Sequence, residues 1–375
     1  VTKFNRGAPR YNRFLSRAGE QYEGSQFGFA AAGQPVLVTG AGGYIGSALV
    51  DAIAASGPAK VVLLDASEHN LFQVQQRLEA KHVHVPHEAI LGSVTDTELL
   101  NSIFARYRPG MVYHAAALKH VSLLEHNPLA AVRENTLGTY TLARAAVQHG
   151  AASLVLVSTD KAVNPHSIMG ASKRLAELTM AALSSPQCRM NVVRLGNVIG
   201  SSGSVVPIFR EQISRRGPVT VTHPDARRYF MSRHDAVEAI LAGSAADCAG
   251  RILLPELGEP ERIADLACFL IGAIANGSGK EIEIRFIGLR PGEKIEEDLL
   301  FQTEIREGSA AGPLEVIRTP SPDPNELYKR MEQFAWHIAS RDVMGLVGTI
   351  CAMVPEYRPS SIILAATNNS GSVSG

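Results

Sequence analysis

Cysteine, aromatic residues, net charge and long apolar runs are all in short supply in this 375-residue chain. Its four cysteines, Cys188, Cys248, Cys268 and Cys351, stand far apart without metal-ligand spacing. That argues against a disulfide framework or a zinc module and suits a reducing, cytoplasmic compartment. Lys plus Arg and Asp plus Glu balance at 36 each, so no global field draws the chain to nucleic acid or an anionic membrane, and any phosphate binding has to be local. No apolar run has the length to cross a bilayer and no signal-peptide core opens the chain, so no membrane span is expected. Metal binding finds little support either, because the alternating His82, His84 and His87 lead into a strand and no metal is expected there.

What is present reads as an α/β protein. At 45% hydrophobic and 19% charged, the chain can bury one large core, or a core and a smaller lobe. From Pro35 short β-branched runs alternate with amphipathic stretches, the signature of βαβ units. Strands are predicted at Val36 to Thr39, Val61 to Asp65, Ala89 to Leu91, Met111 to His114, Leu154 to Ser158 and Asn191 to Leu195. The expected architecture is a Rossmann-type doubly wound parallel sheet with a smaller mixed α/β lobe. Residues 34–196 form the nucleotide-binding unit, with 232–255 returning to it, and 197–231 with 256–360 form the lobe. Residues 1–33, with Lys3, Arg6, Arg10, Arg13 and Arg17 ahead of the first acid at Glu20, are expected to be a solvated arm or a linker beside a membrane anchor in a longer protein. The small polar residues 361–375 are expected to be disordered.

The segment Thr39-Gly40-Ala41-Gly42-Gly43-Tyr44-Ile45-Gly46 falls between a predicted strand and a predicted helix. Its glycines permit a tight turn and close backbone approach to a pyrophosphate at the helix N-terminus. Nineteen residues beyond Gly46, the second strand ends in Asp65, where a carboxylate can accept both ribose hydroxyls of an adenosine. This favours NAD over NADP, since a 2′-phosphate would face the same negative charge; the alternative is an aspartate that only caps the next helix. After the fourth strand, His114-Ala115-Ala116-Ala117 leaves room for a flat ring at the crevice. Lys119 can reach ribose or phosphate from there, or stand as a surface lysine.

One more absence is local. Short-chain dehydrogenases place a tyrosine and a lysine four residues apart on one helix face, and here that spacing holds Met169 and Lys173. A thioether moves no proton, so catalysis has to rest on other groups. Ser158-Thr159-Asp160-Lys161 closes the fifth strand and projects an acid and a base into the same crevice. That pair suits an elimination, one group protonating a departing hydroxyl while the other removes a proton activated by a neighbouring ketone. Lys161 needs a depressed pKa to act as base, from desolvation or from a nearby cation such as Lys173.

With these residues in view, the chain resembles the polysaccharide-biosynthesis branch of the extended short-chain dehydrogenases, the UDP-N-acetylglucosamine 4,6-dehydratase type. The resemblance is carried by Leu37 to Gly46, His114 to Glu125, Leu156 to Glu177, Arg194 to Gly200, Arg228-Tyr229-Phe230-Met231, Gly258-Glu259-Pro260 and Arg290-Pro291-Gly292-Glu293-Lys294. It implies bound NAD, a UDP-sugar substrate, a homo-oligomer and a product of the UDP-4-keto-6-deoxy-N-acetylhexosamine class. Asp160 would be the acid for the 6-hydroxyl, Lys161 the base at carbon 5, Thr159 a partner of the 4-hydroxyl, and Lys173 the holder of the cofactor ribose. Some members of the family also carry methionine in place of the tyrosine. Asn197, Val198, Arg228, Met231, Arg290 and Glu293 match substrate-contacting positions, the arginines being suited to a diphosphate. The chain departs from the pattern at two points: Ser93, ahead of Val94, stands where relatives show an aspartate beside the adenine, and Glu134 precedes Asn135 where a threonine is common. A 4-epimerase on the same fold and a catalytically silent NAD-binding regulator are the competing readings.

Overall fold

The computed structural model describes residues 33–201, 203–275, 282–310 and 314–369. The expected basic arm therefore lies, Gly33 apart, outside the described residues. Six strands fall where the sequence predicts them: β1 Pro35–Thr39, β2 Lys60–Asp65, β3 His87–Leu91, β4 Met111–His114, β5 Ser153–Thr159 and β6 Arg189–Leu195. A seventh, β7 Ile252–Pro255, returns to the sheet beside β6 after the helix Arg233–Ala245. β1 to β7 run parallel in the order 3-2-1-4-5-6-7, which reverses direction between β1 and β4 and opens a ligand crevice at their carboxyl ends.

These runs make strands because both faces are covered. Val36, Leu37, Val38, Val61, Val62 and Leu63 are fully buried, with alternate side chains feeding two separate cores. Helices Tyr44–Ala55, Glu68–Lys81 and Arg233–Ala245 close one face; Thr97–Tyr107, Gly138–Gln148 and Ile168–Leu183, the candidate active-site helix that carries Met169 and Lys173, close the other.

Beyond β7 the structure differs from the expected division. The lobe proper consists of helices Val205–Ser214 and Ile263–Ala275 around the parallel pair Val219–Val221 and Ile284–Phe286, with its own core of Val206, Phe209, Ile213, Leu266 and Leu270. Residues expected in that lobe instead rejoin the main unit. β8 Ile305–Ser309 and β9 Leu314–Arg318 extend the main sheet to nine strands, β9 pairing antiparallel with β7 and burying Ile317. The helix Pro324–Ala339 carries Leu327, Met331 and Phe334 on one stripe, and that stripe packs with Leu346 and Ile350 of the next helix against Leu175 and Leu178 of the active-site helix. The expected disordered tail is likewise corrected: Ser361–Asn369 is helical and Ile363 is buried, while 370–375 lie outside the described residues. Among the described residues no helix is long and apolar enough to cross a membrane.

Candidate active site

The glycine turn begins with Gly40 at φ +65°, a left-handed conformation that disfavours any side chain, and a Cβ there would lie 2.6 Å from the backbone of Ala116. The helix Tyr44–Ala55 starts at Gly43 with no side-chain cap, so its first N–H groups stay free for an anion. Asp65 holds the turn directly: Oδ2 accepts from Gly42 N at 2.8 Å and Oδ1 from Ser67 N at 2.8 Å. The next helix is capped by Ser67, not by Asp65, which removes the capping alternative. Tyr44 reaches across the crevice, its hydroxyl donating to Ile199 O at 2.7 Å, with the Arg233 guanidinium 4.6 Å from its ring centre. Ile45 packs on the core beneath. Ala115 follows β4 with its N–H on Thr39 O at 3.0 Å, Val94 is buried, and Lys119 is exposed after β4. The turn, the uncapped helix and the anchored carboxylate together fit a dinucleotide.

The groups expected to handle protons sit at the end of β5, where Asp160–Ala162 makes one turn of 3-10 helix. Asp160 is fully buried. Its Oδ1 accepts from Thr159 Oγ1 at 2.9 Å and from Lys161 Nζ at 2.9 Å, while Oδ2 has no hydrogen-bond partner among the described residues. Lys161 Nζ also donates to Asn197 Oδ1 at 2.8 Å, and the Nδ2 of that asparagine is likewise unpartnered. The open buried acceptor on Asp160 and the open buried donor on Asn197, both residues held by Lys161 Nζ, give the site capacity for a polar ligand.

Met169 is 4% exposed at the start of the active-site helix and belongs to an apolar cluster with Leu124, Ala131 and Val132. One turn on, Lys173 Nζ donates to Val157 O at 2.7 Å, and burial lowers its pKa to about 8 against the opposing pull of Glu177. The expectation that Lys173 would stand beside Lys161 as a cation is not what the contacts show. The charged groups at Lys161 are carboxylates: Asp160, and Glu297 at 4.0 Å.

Glu297 carries no sequence expectation. It is 5% exposed, with Oε1 3.8 Å from Arg228 Nε and Oε2 3.7 Å from Lys294 Nζ. These groups line a cavity of about 110 Å³ together with His166 and Glu293. Lys294 in turn donates to Val163 O at 2.8 Å, which ties this segment to the turn after β5. The signal available in the sequence was position alone, an acid three residues beyond the Lys of Arg-Pro-Gly-Glu-Lys.

The other expected substrate contacts are only partly brought together. Asn197–Val198 pairs with Phe230–Met231, but Met231 is buried in the main core. Arg228 reaches the cavity while giving its N–H groups to the carbonyls of Lys294 and Ile295 at 2.9 and 3.0 Å. Arg290 is exposed, and Glu293 Oε2 accepts from its N–H at 3.2 Å.

Fold and site together define a Rossmann-type sheet with a glycine-loop cradle that fits a dinucleotide and an aspartate–lysine pair at the end of β5. The chain belongs to the polysaccharide biosynthesis protein family, whose model matches residues 36–318. It is 42% identical over 275 residues to the probable polysaccharide biosynthesis protein EpsC of Bacillus subtilis, covering 73% of this chain and 46% of that protein. It thus spans less than half the length of that relative. A UDP-glucose 4-epimerase of Rickettsia rickettsii is 32% identical over 276 residues, 72% of this chain and 78% of that one. Among solved structures, Pen from Bacillus thuringiensis aligns with a TM-score of 0.70 at 28% identity, covering 78% of this chain and 89% of that chain. The dTDP-glucose 4,6-dehydratase DesIV of Streptomyces venezuelae, solved with NAD, shares the fold at a TM-score of 0.62 and 22% identity, covering 70% and 87%.

Proposed function

We propose that this chain is an NAD-dependent nucleotide-sugar 4,6-dehydratase acting on UDP-N-acetylglucosamine or a close UDP-N-acetylhexosamine, as a homo-oligomer. The observation that carries the reading is the ion pair between buried Asp160 and half-buried Lys161, with Asp160 Oδ2 left open, in a chain that has Met169 at the sequence position where a dehydrogenase would hold its tyrosine. Gly40, Gly43, Gly46, Asp65 and Lys173 would hold the cofactor, Asp65 favouring a free 2′-hydroxyl. When bound, NAD accepts the hydride from carbon 4 and returns it at carbon 6.

The protons are handled by this chain. Asp160 takes the proton of the 4-hydroxyl at Oδ2, with Thr159 Oγ1 fixing the other oxygen. The ketone at carbon 4 acidifies carbon 5, and Lys161 is the base that takes that proton. Asp160 hands its proton to the 6-hydroxyl, which leaves as water. Lys161 returns its proton to carbon 5 once carbon 6 has been reduced. Each group ends as it began, so no tyrosine is required. A 4-epimerase has no use for a base at carbon 5, and the lysine paired with an aspartate at the end of β5 supports elimination over epimerisation.

Incubation of the protein with UDP-N-acetylglucosamine in heavy water is expected to yield a 4-keto-6-deoxy sugar with deuterium at carbon 5. Lys161→Ala is expected to bind NAD normally and to lose at least ~100-fold in rate, the scale of one general base. Unchanged substrate with NAD bound overturns the dehydratase reading, and a carbon-4 epimer selects the epimerase.

A further inference from the structure

Ser93 and Glu134, the two departures from the family pattern, are 41 residues apart in sequence and touch in space: Ser93 Oγ donates to Glu134 Oε2 at 3.1 Å. The carboxylate only accepts, so the serine proton is committed to it. The Ser93 oxygen is also occupied, receiving Thr95 N at 3.1 Å and standing 2.9 Å from Thr95 Oγ1. Ser93 has no capacity left for a ligand. Glu134 does, because a carboxylate offers about four lone-pair sites and among the described residues only two are taken, by Ser93 and by Arg133 Nε at 2.9 Å. Its side chain is 23% exposed.

The position decides what that spare capacity faces. β2 and β3 pair in parallel with Asp65 opposite Leu91, and Gly92 N donates to Asp65 O at 2.9 Å. The segment Gly92 to Val94 therefore leaves the sheet beside Asp65, the carboxylate assigned above to the adenosine ribose. A base attached to a ribose held there would meet this segment, where Val94 is buried and Glu134 is tied in through Ser93. The outer edge of adenine carries an amine, a donor with no charge of its own, and a carboxylate is its natural acceptor.

We propose that Glu134 accepts the exocyclic amine of the dinucleotide's adenine, with Ser93 as the strut that aims it. Hydroxyl and carboxylate have exchanged places between the two positions, and the acidic acceptor is delivered from the π-helical segment Val132–Leu137 instead of from the end of β3. The inference rests on the NAD reading above.

The test compares NAD with nicotinamide hypoxanthine dinucleotide, in which a carbonyl replaces the amine. Affinities for the full chain are measured by calorimetry, with circular dichroism confirming that each variant is folded. Wild type is expected to favour NAD by roughly 10- to 100-fold, the scale of a hydrogen bond to a charged acceptor. Glu134→Thr is expected to bring the preference close to unity, and Glu134→Thr with Ser93→Asp to restore it. Glu134→Gln, whose amide can turn oxygen to an amine or nitrogen to a carbonyl, is expected to accept both. Retention of the full preference in Glu134→Thr overturns the assignment, as does a wild type that binds both equally. A wild type that binds neither overturns the NAD reading itself.

Discussion

His114 ends β4 directly beneath the crevice, with Nδ1 2.7 Å from Thr39 Oγ1 and Nε2 3.0 Å from Thr139 Oγ1. Burial, and after it the Lys173 cation, lowers its pKa from 6.5 to about 3. The folded state therefore holds a neutral imidazole where the unfolded chain would bind a proton. A depressed value of this kind gives stability that is complete above pH 6.5 and is lost as pH falls toward 3. His114→Asn is expected to melt lower than wild type at pH 7.5, while its melting temperature falls less between pH 7 and 5; equal slopes in the two proteins would refute this account of the residue. His114 was read from the sequence only as the end of a strand, because nothing local marks a histidine whose partners lie 75 and 25 residues away. Met169, Lys173, Asp160 and Lys161 were legible for the opposite reason, as their meaning lies in spacings of one to four residues.

At the level of elements, the active-site helix meets the turn after β5 without space to spare. A Cβ added at Gly170 would lie 2.2 Å from the carbonyl oxygen of Lys161. Helix propensity alone favours alanine over glycine by about 1 kcal/mol, but the overlap is with backbone that has no rotamer to yield. Overpacking of this kind costs about 1–3 kcal/mol, so the clash wins. Gly170→Ala is expected to lower the unfolding midpoint and to cost more than ~10-fold in rate by displacing Asp160 and Lys161 together, read by urea melts and initial rates. An alanine variant of full activity would show that the turn has slack. The parallel strands were readable because two buried faces demand continuous apolar runs. β8 was not, since Ile-Arg-Glu-Gly-Ser is exposed at the sheet edge along its whole length, and its pattern resembles a loop until its partner is known.

Across the whole molecule, a buried cluster of charges joins parts that sequence division had separated. Arg194 of β6 donates to Glu177 Oε2 at 2.8 Å and to Glu304 Oε2 at 2.9 Å, Arg174 contacts both acids, and Glu177 accepts from Ser158 at 2.7 Å. Its two arginines hold the Glu177 carboxyl below its ordinary range against the opposing effect of burial. The cluster sits behind the Thr159-Asp160-Lys161 turn and fastens β5, β6, the active-site helix and the segment before β8. Arg194→Met leaves two buried acids sharing one cation and is expected to cost about 3–5 kcal/mol in urea unfolding. A loss under ~1 kcal/mol would mean that Arg174 alone suffices. The cluster could not be read in advance because, Arg174 and Glu177 apart, its contacts span 17 to 130 residues and each member looks like a surface charge by itself.

The span 287–304, which carries Arg290, Glu293, Lys294 and Glu297, starts at the small strand Ile284–Phe286 and ends in β8 of the main sheet. Fastened at both ends, it behaves as a suspension bridge and not as a door. Its far abutment is Glu304, inside the charge cluster, and its middle holds the cavity shared by Arg228 and Glu297. The side chains that line the cavity therefore share their support with Arg194 and β6 at one end and with the small strand pair at the other.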